Sequence, residues 1–360
     1  MELYNHNKID LKDQPIFLGE GKNIQRYDEP KYKFFYDLGQ RLDNLFWKPA
    51  EISLLKDKAD YVELEEHESH IFDSNLKRQI LLDSIQGRSI QQTFGRVVTN
   101  PEVEYVFERW QYQETNHSDA YSYILRNVYE NPAEVLDNIV DNELISKHTN
   151  NINKHYEKLY ELIGKREVLG KNKVTDAELK KAIYLALVSV NILEGIRFYV
   201  SFACTFAFAE NKKLEGNAKE LTLIARDENQ HLALTQKLIN ILRKEKDEGF
   251  FETIEDTKDE VYKMYSEAVK DEIEWAEYLF KDGSILGLNV KILERYMKHI
   301  TNQRLKAIGY DSIFEFHQNP IPWIDSYLGN SKVEVLPQEI EISSYVIGAI
   351  DGEVSEDTWK

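Results

Sequence analysis

The chain is predicted to fold as an all-α helical bundle, on three observations. Helix start signals recur along its 360 residues, strand-like alternation is weak throughout, and two Glu-x-x-His quartets lie on separate helix-like stretches. The quartets are Glu114-Thr-Asn-His117 and Glu228-Asn-Gln-His231. On a 3.6-residue helix, positions i and i+3 share a face, so each quartet turns one carboxylate and one imidazole into the bundle interior.

Taken in order, the first useful element is a helix-like segment that closes at Gly87 and carries Asp83 near its end. Asn100-Pro101-Glu102 combines an N-cap, proline at the first helical position and an acid in the first turn. It opens a helix running without a breaker to about Tyr129, a length of about 42 Å at 1.5 Å per residue. Asn131-Pro132 repeats the start signal. The stretch from Arg166 to Val174 is the best short β candidate, a loop or small hairpin. Thr175-Asp-Ala-Glu178 is a capping box ahead of an apolar stretch, Ala182 to Ala209, whose only acid is Glu194. Ile183 to Phe208 is long enough to cross a membrane, but Asn191, Glu194 and Arg197 fall at its centre, where polar and charged groups are costly in lipid. A buried bundle helix is therefore expected. Gly216 to Arg243 holds the second quartet, and a charged amphipathic helix follows from roughly Phe251 to Phe280. From Pro337 the character changes: Glu339, Glu341, Asp351, Glu353, Glu356 and Asp357 face a single Lys360, and apolar residues lose helical period. Residues 1–336 are accordingly read as one domain and 337–360 as a flexible tail.

One Glu-x-x-His quartet arises often by chance. Two of them, joined by isolated acids at Asp83 and Glu194 in other apolar helical stretches, make the ligand set of a carboxylate-bridged dinuclear metal site. Four buried carboxylates need positive charge, and hard oxygen donors with one imidazole per metal suit iron or manganese. The competing structural reading is an ion pair between Glu194 and Arg197, three residues on. Tyr121 follows His117 by four residues, one turn further along the same face, and so stands near the metal pair. Tyr123 points elsewhere on the helix.

Composition narrows the function classes. A net charge of −18 argues against nucleic acid and against an anionic membrane surface as partners. Cys204 is the only cysteine, so no intrachain disulfide is possible; it reads as a small buried side chain in a reducing cytoplasm. The polar N-terminal stretch lacks the apolar run of a secretory signal.

Long segments resemble the small, radical-generating subunit of class I ribonucleotide reductase, in its enterobacterial and phage-like branch. They are Leu81-Leu-Asp-Ser-Ile-Gln-Gly-Arg-Ser89, Glu114-Thr-Asn-His-Ser-Asp-Ala-Tyr121, Asn191-Ile-Leu-Glu-Gly-Ile-Arg-Phe-Tyr-Val-Ser-Phe-Ala-Cys204, Glu215-Gly-Asn-Ala-Lys219 with Leu223-Ile-Ala-Arg-Asp-Glu-Asn-Gln-His231, and Asn319-Pro-Ile-Pro-Trp323. The resemblance runs from about Pro15 to Val354. It implies a ferritin-like bundle in which Asp83, Glu114 and His117 hold one iron and Glu194, Glu228 and His231 the other, with Glu114 and Glu228 bridging. It also implies that dioxygen is activated there and that Tyr121 carries a stable radical. Phe198, Phe202 and Ile224 match the apolar pocket around that tyrosine. Trp47 and Asp227 match residues that extend a hydrogen-bonded chain from His117, Tyr345 matches the tail tyrosine that passes the oxidising equivalent on, and Glu51 and Glu339 match acids at that junction. A homodimer and docking to a large subunit through the tail are implied with them.

The chain departs from its relatives at Asn116 and Asp119, beside the ligands, where an apolar and a basic residue are usual. The Arg166 to Val174 region is shorter, and the chain ends Thr358-Trp359-Lys360 where relatives finish in Phe and Leu. Two other functions compete on the residues alone: a di-metal oxygenase or ferroxidase with its own substrate, and a non-enzymatic helical scaffold.

Overall fold

The computed structural model describes residues 5–7, 10, 12, 14–22, 24–315 and 318–329. Among them the fold is all-α, with one isolated antiparallel bridge between Phe17 and Val98 in place of any strand ladder. The helices are α1 (Lys33–Asn44), α2 (Leu55–Val62), α3 (Glu66–Gln92), α4 (Phe94–Val97), α5 (Pro101–Val128), α6 (Pro132–Asp137), α7 (Glu143–Leu169), α8 (Asp176–Ile192), α9 (Tyr199–Glu210), α10 (Glu215–Lys244), α11 (Phe251–Asp256), α12 (Lys258–Leu279) and α13 (Val290–Ala307). A π-helical turn, Leu193–Arg197, joins α8 to α9.

The start signals act as their chemistry requires. The Asn100 side chain accepts the backbone N–H of Val103, Pro101 occupies the first turn, and α5 runs to Val128. Thr175 and Glu178 cap α8 reciprocally. Helix α10 is capped from a distance: the Asp57 carboxylate of α2 accepts the N–H groups of Gly216 and Asn217. A Cβ on Gly216 would lie 2.7 Å from that same carboxylate, so only glycine admits the cap.

The apolar stretch is the central helix of the bundle. It is long and apolar enough to cross a membrane, yet its apolar window lies wholly inside the protein, enclosed by α3, α7, α10, α12 and α13. Trp110, Trp275, Tyr184, Phe206 and Ile224 belong to one continuous core packed around it. Burial of this kind, at roughly 25 cal/mol per Å² of apolar surface, is the main term favouring the bundle.

Three expectations change. Helix α3 continues past Gly87 to Gln92, so Asp83 sits well inside it. Gly87 is there for closeness, because a Cβ would approach the Glu114 Cβ of α5 to 3.2 Å. The helix expected over Phe251 to Phe280 is interrupted at Thr257, whose backbone N–H and buried hydroxyl both donate to the Thr253 carbonyl. The Arg166 to Val174 stretch forms no hairpin: α7 extends to Leu169 and stops at Gly170, whose φ of +82° most side chains avoid. The proposed boundary at 336/337, with Glu339, Tyr345 and Trp359 beyond it, lies outside the described residues.

Candidate metal centre

Four separate elements converge on one buried point. Helix α5 supplies Glu114 and His117, α10 supplies Glu228 and His231, α3 supplies Asp83, and the π turn supplies Glu194. All six side chains are at most 1% exposed. The π turn inserts one extra residue into an otherwise regular helix, which sets the direction of Glu194 apart from that of an α-helical residue.

The six form two overlapping groups, Asp83–Glu114–His117–Glu228 and Glu114–Glu194–Glu228–His231. Glu114 and Glu228 belong to both. Glu114 places Oε2 at 3.6 Å from the His117 Nδ1 and Oε1 at 3.2 Å from the His231 Nδ1. Glu228 does the same from the other side, with Oε1 at 3.2 Å from His117 and Oε2 at 2.8 Å from His231. Each of these carboxylates thus has one oxygen toward each imidazole.

The donor set fits metal ions. Both Asp83 oxygens, Glu114 Oε2, Glu194 Oε2, Glu228 Oε1 and the His117 Nδ1 are buried without a hydrogen bond of acceptable geometry. So many orphaned donors at one point would be costly in a purely structural cluster. Burial, and then the charges of Glu228 and Glu114, push the Asp83 and Glu194 carboxyls well above the usual carboxylate range. The imidazoles move up against the opposing effect of burial, His231 to about 9, through hydrogen bonding and charge from Glu114 and Glu228. His117 rises well above its ordinary value under the Glu228 charge. Protons gather where cations would otherwise neutralise the acids.

The ion-pair alternative for Glu194 fails. Arg197 pairs instead with Asp271 of α12 at 2.9 Å, beside a second buried pair between Arg78 and Glu272. Glu194 is held by a neutral donor, the Gln86 amide, at 2.7 Å, and Gln86 in turn accepts the Tyr156 hydroxyl at 2.6 Å. In a further group, His148, Asp271 and Glu274, both carboxylates are already paired, Glu274 with Lys147 and Asp271 with Asn151 and Arg197.

Tyr121 is 1% exposed and its hydroxyl makes no hydrogen bond of ordinary geometry. Burial, followed by the nearby Asp83 and Glu228 carboxylates, pushes its phenol well above the usual range. Phe198, Phe202 and Ile224 are buried in the same core, the two phenylalanine rings stacked at 5.7 Å. Tyr123 is directed away and donates to the Ile52 carbonyl. On the other side of the cluster, Asp227 Oδ2 lies 3.4 Å from the His117 Nε2 and accepts the Trp47 indole N–H at 2.8 Å. Asp227 stays ionised despite burial, because Arg226 and His117 lower its pKa. Glu51 lies exposed on a short turn, Pro49–Glu51. Cys204 is fully buried and its thiol is pushed up to about 12, as a packing residue would be.

Three supporting residues escape sequence reasoning. Trp110 donates its indole N–H to Glu114 Oε1 at 2.8 Å, Gln86 supports Glu194, and Gln113 contacts His231. Trp110 lies one turn before Glu114 and was findable by the same i, i+4 spacing as Tyr121. Gln86 and Gln113 meet their partners across 108 and 118 residues of chain, a separation no local pattern encodes.

A family model described as "Ribonucleotide reductase, small chain" matches residues 25–320. The chain is 47% identical over 364 residues to the ribonucleoside-diphosphate reductase 1 subunit beta of Salmonella typhimurium, covering 98% of this chain and 97% of that protein. It is 35% identical to the ribonucleoside-diphosphate reductase subunit beta of Enterobacteria phage T4, again covering 98% and 97%. Among solved structures, the ribonucleotide reductase R2 subunit from Clostridium botulinum superposes with a TM-score of 0.80 at 28% identity, covering 91% of this chain and 98% of that one.

Proposed function

The chain belongs to the family of ribonucleotide reductase small chains and serves as the small subunit of a ribonucleoside-diphosphate reductase; from that premise we propose that its buried cluster is a di-iron centre and that Tyr121 carries the radical used by the large subunit. In this reading Asp83, Glu114 and His117 would hold one iron and Glu194, Glu228 and His231 the other, with Glu114 and Glu228 common to both groups. The observation that carries it is the paired reach of those two glutamates toward both imidazoles. The oxygen-rich donor set suits manganese as well as iron, and the assignment to iron is part of the proposal.

When bound, the metal pair supplies the capacity to activate dioxygen and to withdraw an electron from Tyr121. The protein does the rest. Tyr121 would give up its hydroxyl proton with the electron, and in this reading Asp83, the carboxylate that acts most strongly on that hydroxyl, takes the proton. The core that contains Phe198, Phe202 and Ile224 excludes water and reductants from the ring. His117, Asp227 and Trp47 form a continuous polar contact leading away from the cluster, with the Trp47 and His117 rings 6.4 Å apart. In this reading Trp47 relays the oxidising equivalent, and we assign the last step on this chain to Tyr345 in the acidic tail, which docks the large subunit. A homodimer in the cytoplasm of a bacterium or a phage-infected cell completes the proposal.

Tyr121→Phe tests it. After reconstitution with ferrous iron and dioxygen, the variant should bind the same two metals per chain as the parent and lack the tyrosyl signal in low-temperature electron paramagnetic resonance. Little change in stability is expected, because the ring volume is nearly conserved. A persistent signal would move the radical to another tyrosine, and a parent protein without metal would remove the centre altogether.

A further inference from the structure

The two imidazoles of the cluster are backed by unlike groups. Behind His117 stands Asp227, an anion, at 3.4 Å from Nε2. Behind His231 stands Gln113, a neutral amide, with Oε1 2.9 Å from Nε2. Gln113 is 5% exposed and directly precedes Glu114 on α5. It lines a cavity of about 220 Å³ together with Phe46, Trp47, Tyr112, Asn116 and Asp227.

An amide offers either an acceptor oxygen or a donor N–H₂, and the choice decides what His231 can do. Were the N–H₂ group turned to Nε2, the ring proton would sit on Nδ1, which points between Glu114 Oε1 and Glu228 Oε2. A protonated Nδ1 cannot ligate. With Oε1 as acceptor the proton stays on Nε2 and the Nδ1 lone pair is free for a metal. A carboxylate partner raises the donor strength of an imidazole more than an amide does, because it stabilises positive charge on the ring.

We infer that Gln113 is a positioning residue for His231: its amide oxygen fixes the ring proton on Nε2 and turns Nδ1 to the metal, and its neutrality makes the metal position on the His231 side the weaker of the two. The inference rests on the dinuclear reading above. It predicts that the two positions respond differently to changes at residue 113.

Manganous ion, which binds without redox chemistry, is the probe. Metal-free full-length protein is titrated anaerobically with Mn(II), and free ion is read by electron paramagnetic resonance. The parent should bind two ions per chain with unequal affinity. Gln113→Met, similar in volume but without the acceptor, should weaken one position by about 10–100-fold, the usual cost of losing a supporting hydrogen bond behind a ligand histidine, and leave the other unchanged. Gln113→Glu should restore the weakened position to parental affinity or better and narrow the gap between the two. The inference is overturned if Gln113→Met binds as the parent does, if it weakens both positions equally, or if Gln113→Glu is as impaired as Gln113→Met, which would mean that the residue only fills space. Should circular dichroism show Gln113→Met unfolded, Gln113→Glu decides alone: a narrower gap supports the inference and an unchanged or wider gap defeats it. A parent that binds no Mn(II) overturns the centre itself, whereas two bound ions with parental behaviour in the variants overturn only the role of Gln113.

Discussion

Glu194 and Glu220 are both fully buried acids, and their surroundings give them opposite roles. Glu194 points into a cluster with histidines and a supporting amide, where added cations would neutralise it. Glu220, two turns before Glu228 on α10, has no hydrogen-bond partner for either oxygen. Burial raises its pKa to about 9, with Asp119, Asp57 and Glu51 adding in the same direction. Between pH 4.5, its ordinary value, and about 9, the folded chain holds a proton that the unfolded chain releases. Stability contributed by the neutral acid is therefore full below pH 4.5 and declines as pH rises toward 9. Glu220→Gln cannot titrate. Its stability relative to the parent should grow with pH across this window, by no more than about 1.4 kcal/mol per pH unit. Denaturant unfolding of the metal-free proteins at pH 6 and pH 8 measures it, and parallel profiles would show that Glu220 titrates normally.

At the level of elements, the centre depends on close helix contacts as much as on ligands. Helix α3 approaches α5 through Gly87, and the atom a new methyl would meet is the Cβ of Glu114, which cannot swing aside like the end of a long side chain. In Gly87→Ala, α3 or Glu114 must move by a few tenths of an ångström. The gain in helix propensity, about 1 kcal/mol, offsets much of that strain, so the metal-free protein should change in stability by less than about 1 kcal/mol. Metal affinity should nevertheless fall by roughly tenfold, because the shift falls on a bridging carboxylate. Equal metal affinity in Gly87→Ala and the parent, measured by competition with a chelator, would show that the helix spacing is not transmitted to the ligand.

For the whole molecule, the proposed export of oxidising power separates two functions of the acidic tail. Tyr345→Phe should leave folding, iron loading and the Tyr121 radical intact yet nearly abolish ribonucleotide reduction with the cognate large subunit. Deletion of the segment after Val354, which contains Trp359, should weaken association and leave turnover at saturating partner close to that of the parent, because a short tail binds through a few anchors. Turnover is measured while each variant is titrated with the large subunit. Near-normal saturating turnover in Tyr345→Phe would show that another residue makes the last transfer on this chain.

By itself the sequence determined what depends on local period and local capping. The Glu-x-x-His spacing puts ligands on one face of α5 and of α10, Asn100-Pro101 and the Thr175 box start their helices, and the acid in the apolar stretch marks a buried charge. These features involve residues within about a turn of one another, where helix geometry leaves little choice. What crosses the chain was decided only by tertiary structure. Arg197 had an acid three residues away and pairs with Asp271 instead, since packing of the π turn against α12 offers the better-placed partner. Gly87 reads as a helix stop and is a contact, because its meaning depends on a helix that begins fourteen residues later. Gln86, Gln113 and the Asp57 cap of α10 follow the same rule: each side chain is chemically unspecialised, and its role comes from the partner that the folded bundle brings to it.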